Sequence, residues 1–144
     1  MAFQKILIAV NDESFSLKPA QTGIALAESL QAAVAMVFVI DQRLTLGNIE
    51  TGITPNDALV LLRKEAENTV DQLIETVGKG RDIRRFTPEG RPTAEILNVA
   101  EEWGADMIVM GTHGKSGLLQ LIAGSISEYI KHHSKVPVLI VPSK

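Results

Sequence analysis

Short apolar runs rich in β-branched residues alternate with amphipathic segments along this chain, and that alternation is the signature of βαβ units wound around a mainly parallel sheet. KILIAV at 5–10 reads as a first strand. AVAMVFVI at 33–40 is a second, an almost continuous apolar run of the kind a central strand carries when both its faces are covered. IRRFTP at 83–88 is a weaker third, and MIVMG at 107–111 and VPVLIV at 136–141 are the last two.

The segments between the strands carry helix punctuation. Ser16 reads as an N-cap for a helix from about Leu17 to Leu30, with Pro19 in its first turn and Ala20, Ile24, Ala27 and Leu30 on one face. Thr54, Pro55 and Asp57 give the next helix an N-cap, a first-turn proline and an N3 carboxylate, and Leu62, Ala66, Val70, Leu73 and Val77 form its apolar stripe. Pro92 opens a third helix, in which Ile96, Val99, Ala100 and Trp103 keep helical spacing and Gly104 fits the residue just past the end. The loop that starts at Gln42 and runs to Ile53 exceeds the roughly two to six residues of an ordinary βα connection, a length that is often functional.

Composition narrows the function classes. The chain's 144 residues suit one domain. Fourteen basic against seventeen acidic residues, net −3, give no electrostatic bias toward nucleic acid. The absence of cysteine excludes disulfides, thiolate nucleophiles, iron–sulfur clusters and cysteine zinc sites. No apolar run approaches the ~18–20 residues of a membrane span, and Met1 leads into KILIAV without a basic leader or cleavage site. The expectation is a cytoplasmic protein with no membrane insertion and no nucleic-acid partner.

Between the last two strands lies GTHGKSGLLQLIAGSISEYI, 111–130. Its Gly114, Lys115 and Ser116 copy the tail of the Walker pattern G-x-x-x-x-G-K-[ST], but Val109 stands where that pattern needs glycine. Glycines at 111, 114, 117 and 124 follow a buried strand, where backbone turns sharply and can approach a ligand. Ser125-Ile126-Ser127-Glu128 fits the capping box, so a helix is expected to begin at Ser125. Its free amides and positive dipole end beside Gly124 would then make an anion site. A glycine-rich turn with no ligand is the alternative.

Gly111, Gly114, Gly124 and Ser125 stand in the spacing G-x-x-G-(x9)-G-[ST], and on these residues the chain resembles the universal stress protein family, ATP-binding type. KILIAV, GRPTAEIL at 90–97, GADMIVMGTHGKSG at 104–117, GSISEYI at 124–130 and PVLIV at 137–141 extend the likeness over most of the chain. The resemblance implies a Rossmann-like α/β domain over residues 1–144, with a five-stranded parallel sheet in the order 3-2-1-4-5 and helices on both faces. It also implies ATP, ADP or AMP with Mg²⁺ at the junction of strands 1 and 4, beyond the strands' carboxyl ends where open α/β sheets bind ligands. Val10, Asn11, Val39, Ile40, Asp41, Met110, Gly111, Thr112, His113, Gly114, Gly124, Ser125, Ile126 and Ser127 would surround the nucleotide. Family members commonly pair through the last strand, which implies a homodimer with Val136, Val138 and Ile140 in the contact, and an unidentified regulated protein as partner.

The family commonly reads V-D-G-S after strand 1; this chain has Val10, Asn11, Asp12 and Glu13. Asn11 keeps a carbonyl acceptor, gains an NH2 donor and loses the charge. Asp12 is the candidate Mg²⁺ ligand, against the plainer alternative of a solvated acid before a helix. His113 has no evident carboxylate partner, and His132 and His133, adjacent on a helix, point apart. Lys79, Arg81, Arg84, Arg85 and Arg91 crowd the weak third strand, as on a charged edge guarded against aggregation. With no activated nucleophile, general base or Walker lysine, the chain is expected to hydrolyse ATP slowly at most. The alternative function is a member that binds no nucleotide and acts as a protein-interaction module, with Asn11 marking a degraded site.

Overall fold

The computed structural model describes residues 2–11, 13–41, 43, 52–112 and 126–142. The elements follow one another as β1 (Lys5–Val10), α1 (Glu13–Leu30), β2 (Ala33–Phe38), β3 (Ile40–Asp41), α2 (Pro55–Val77), β4 (Ile83–Phe86), β5 (Glu89–Gly90), α3 (Pro92–Trp103), β6 (Met107–Gly111), a helix α4 described over 126–133, and β7 (Val138–Val141). The main sheet has five strands in the order β4-β2-β1-β6-β7, every pair parallel. Counted among the main strands this is the expected order 3-2-1-4-5.

β1 lies at the centre because its sequence can be buried on both sides: Ile6, Leu7 and Ile8 are all 0% exposed. Its alternate residues divide the core into two layers. Ile6, Ile8 and Val10 join Ala20, Ile24 and Ala27 of α1 and Val70 and Leu73 of α2. Leu7 points the other way, to Ile96, Val99 and Ala100 of α3 and Ile130 of α4. Helices therefore cover both faces.

α1 begins earlier than the sequence suggests. It starts at Glu13, so Ser16 is not its N-cap and Pro19 lies inside the helix. Pro19 has no N–H to give the Phe15 carbonyl, and the helix meets β6 there: a Cβ built on Gly111 would stand 3.1 Å from Pro19 Cγ and 3.4 Å from the Phe15 carbonyl oxygen. Farther along, Gly23 lets α1 rest directly on β1, since its Cβ would fall 2.6 Å from Ile8 Cδ1.

Two of the other three predicted helix starts agree with the structure, and the third, at Ser125, lies outside the described residues. Thr54 Oγ1 accepts from Asp57 N–H at 3.1 Å while the Asp57 carboxylate accepts from Thr54 N–H, a complete capping box. Pro92 opens α3, and Gly104 ends it in the left-handed region at φ 79°. Leu62 and Val77, expected in the buried stripe of α2, are half-buried.

The run 33–40 is not one strand. β2 stops at Phe38, and the chain shifts at Val39 so that β3 pairs with β5 in a separate two-stranded sheet, with Ile40 N–H donating to the Pro88 carbonyl at 2.8 Å. At the opposite end of the main sheet, Asp106 Oδ2 accepts from the backbone N–H groups of Gln4 at 2.7 Å and Lys5 at 2.9 Å. Lys5 Nζ in turn donates to the Trp103 carbonyl at 2.9 Å, placing a cation at the negative end of α3.

Candidate functional site

β1 sends its chain into α1 on one face, and β6 leads on to α4 and β7 at the other side of the sheet. Their carboxyl ends therefore part, and a crevice opens between them. It is lined by Val10 and Asn11 from β1 and its exit, Val39 beyond β2, Met110 and Gly111 at the end of β6, and Ile126 of α4. These six are sequence-predicted site residues that the fold brings together.

Phe15, Ser16, Pro92 and Ile96 also line the crevice, with Ala9, and sequence reasoning did not assign them to it. Ser16 is not a cap here: it is 2% exposed, and its Oγ accepts from the Asn11 backbone N–H at 2.9 Å. The Ser16 hydroxyl also donates to Asn11 Oδ1 at 3.3 Å. Pro92 and Ile96 come from the first turns of α3, whose N-terminal end reaches the carboxyl end of the sheet. Their signal was the GRPTAEIL segment itself, read as family likeness and helix start.

Four predicted residues are placed otherwise. Ile40 is 2% exposed and turned into the core. Asp41 is bound by Arg43, whose Nε lies 3.0 Å from Oδ1 and whose Nη2 lies 2.5 Å from Oδ2. Burial pushes the Asp41 carboxyl up, and the Arg43 hydrogen bonds and charge outweigh it, so the group sits below its ordinary range. Thr112 and Ser127 are half-buried and buried beside the crevice without lining it. Asp12, His113, Gly114, Gly124 and Ser125 lie outside the described residues.

Chemically the crevice is an apolar slot with one polar wall. Val39, Pro92, Ile96 and Met110 offer flat or aliphatic surface suited to an aromatic ring, and Asn11 with Ser16 supplies the polar groups. Its cavity volume is about 90 Å³, below the roughly 300–1,000 Å³ common for drug-sized ligands. Among the described residues, no three His, Cys, Asp or Glu side chains cluster as metal ligands.

The universal stress protein family model matches residues 2–142. The chain belongs to the universal stress protein family. Universal stress protein YxiE of Bacillus subtilis is 31% identical over 146 residues, covering 96% of this chain and 99% of that protein. Among solved structures, that of MJ0577 of Methanocaldococcus jannaschii superposes with a TM-score of 0.81 at 28% identity, covering 100% of this chain and 99% of that one. A universal stress protein of Archaeoglobus fulgidus in complex with dAMP matches with a TM-score of 0.68 at 18% identity over 97% of this chain and 98% of that one, a likeness of fold.

The remaining predicted surface of this universal stress protein is the last strand. β7 is an edge strand, with β6 on one side. Val136, Val138 and Ile140 are half-buried against the core layer under α3 and α4, whereas Leu139 is 36% exposed. At the other edge, Arg81 pairs with Glu28, Arg85 with Asp71 and Lys79 with Glu75, and no helix is long and apolar enough to cross a membrane among the described residues.

Proposed function

We propose that this universal stress protein binds an adenine nucleotide, ATP, ADP or AMP with Mg²⁺, in the crevice between β1 and β6, and that occupancy regulates its contact with another protein in the cytoplasm. The observation that carries this reading is the convergence of Asn11, Val39, Met110, Gly111 and Ile126 beyond the carboxyl ends of the strands. The base would lie against Val39 and Met110, with Asn11 toward the ribose or base. Gly111, Gly114, Gly124 and Ser125 would hold the phosphates, and Asp12 would help hold the cation. The dAMP bound by the Archaeoglobus fulgidus relative lends support. The protein works as a homodimer through β7 and hydrolyses ATP slowly at most, because the chain carries no Walker lysine, nucleophile or base in register.

The test is to purify the protein without added nucleotide, denature it, and identify what is released by chromatography and mass spectrometry, then to titrate ATP with Mg²⁺ by calorimetry. Released adenine nucleotide or micromolar binding supports the reading. A protein that is empty and ignores ATP overturns it. The uncharged Asn11 favours a second reading in that event, an interaction module without nucleotide.

A further inference from the structure

A cavity of about 340 Å³ lies at the opposite end of the sheet from the crevice, between the C-terminal ends of α3 and α4 and the chain entering β7. Its apolar surface comes from Leu97, Ala100, Ala105 and Val136, of which Ala100 and Ala105 are buried. Two charged side chains also line it: Lys135 Nζ stands 3.7 Å from Glu101 Oε1, and the side chains are 84% and 72% exposed. His133 forms a fixed wall, its ring stacked on Tyr129 at 3.9 Å and its Nδ1 on the Tyr129 carbonyl at 2.9 Å.

An ion pair this exposed contributes little to stability, so a ligand can part it. A ligand with one charge gains a partner at one residue and sets the other side chain loose. A ligand with both charges, spaced about as far apart as Glu101 and Lys135 are, replaces one ion pair with two. The same ligand needs an apolar body to cover the aliphatic floor. The geometry points to a free α-amino acid with an apolar side chain: ammonium on Glu101, carboxylate on Lys135, and side chain against Leu97, Ala100, Ala105 and Val136.

This site is independent of the nucleotide crevice and is tested separately. The intact chain is titrated with L-leucine and followed by proton–nitrogen correlation spectra. Saturable shifts are expected at the amides of 97–105 and 133–136 and not at 9–11, with a Kd of about 1 mM. Glu101→Gln and Lys135→Gln, both at exposed side chains, should each weaken binding about fivefold. Isocaproate and isoamylamine share the apolar body but carry one charge each, and should bind more weakly than leucine. The proposal is overturned by an absence of shifts at the highest soluble leucine concentration, by equal binding of either single-charge analogue, or by unchanged affinity in both variants.

Discussion

Ser16 and Asn11 are bound to each other twice: the Asn11 backbone N–H donates to Ser16 Oγ at 2.9 Å, and the Ser16 hydroxyl returns a bond to Asn11 Oδ1 at 3.3 Å. The pair fixes the exit of β1 at the wall of the crevice. Ser16 is 2% exposed, so Ser16→Ala removes a buried acceptor from the Asn11 N–H and one bond to the Asn11 carboxamide. A loss of about 1–3 kcal/mol in urea denaturation is expected, together with weaker nucleotide binding by calorimetry. Lower stability with unchanged affinity would separate Asn11 from the ligand.

Gly23 tests how closely α1 lies on the sheet. A methyl group there would come within 2.6 Å of Ile8 Cδ1 and 2.7 Å of Ile8 Cγ1. Ile8 is 0% exposed and belongs to the core layer between the sheet and α1. Gly23→Ala should therefore destabilise by about 1–3 kcal/mol through overpacking, despite the better helix propensity of alanine. A thermal midpoint equal to or above that of the native chain would contradict this packing.

The parts of the fold that depend on near neighbours were legible in the sequence. Thr54 and Asp57 are three residues apart and make the same capping box in almost any context, and Gly104 ends α3 because the left-handed turn is a local requirement. The strand order was implied by family likeness and agrees with the pairing. What failed depended on distant contacts. Ser16 looks like a cap until Asn11 takes its hydroxyl, and Pro19 looks like a first-turn proline until Gly111 gives its ring a place to pack. Val39 lies inside a continuous apolar run, yet the chain leaves the main sheet there as Ile40 N–H turns to the Pro88 carbonyl. The crevice was half legible for the same reason: strand ends announce themselves, whereas Pro92 and Ile96 reach it only through the path of α3.

Asp41 and Arg43 give a pH-dependent test. With its folded pKa held below the ordinary 3.8, Asp41 stabilises the protein above that value, and the contribution is lost as pH falls through the lower, folded value. Arg43 is 58% exposed, which limits the effect to about 0.5 kcal/mol at neutral pH. Asp41→Asn should be slightly less stable than the native chain at pH 7, with the gap closing in acid below about pH 4. Urea midpoints measured across that range check the sign; a gap that widens in acid would be inconsistent with the pairing.

The edge strand offers the last test. β7 pairs with β6 on one side, and Leu139 is 36% exposed between Val138 and Ile140, whose side chains turn toward the α3 and α4 layer. Edge backbone with no second strand beside it among the described residues, flanked by an exposed leucine, is a surface that a second copy can extend. If two β7 strands meet antiparallel across a twofold axis, Leu139→Lys brings two like charges close together, because a symmetric contact repeats every substitution. The dimer dissociation constant should rise at least about tenfold, the equivalent of ~1.4 kcal/mol, while the monomer fold survives because Leu139 is not a core residue. Sedimentation equilibrium of both proteins decides it. A native monomer at micromolar concentration removes the dimer altogether, and an undisturbed dimer in the variant moves the interface away from β7.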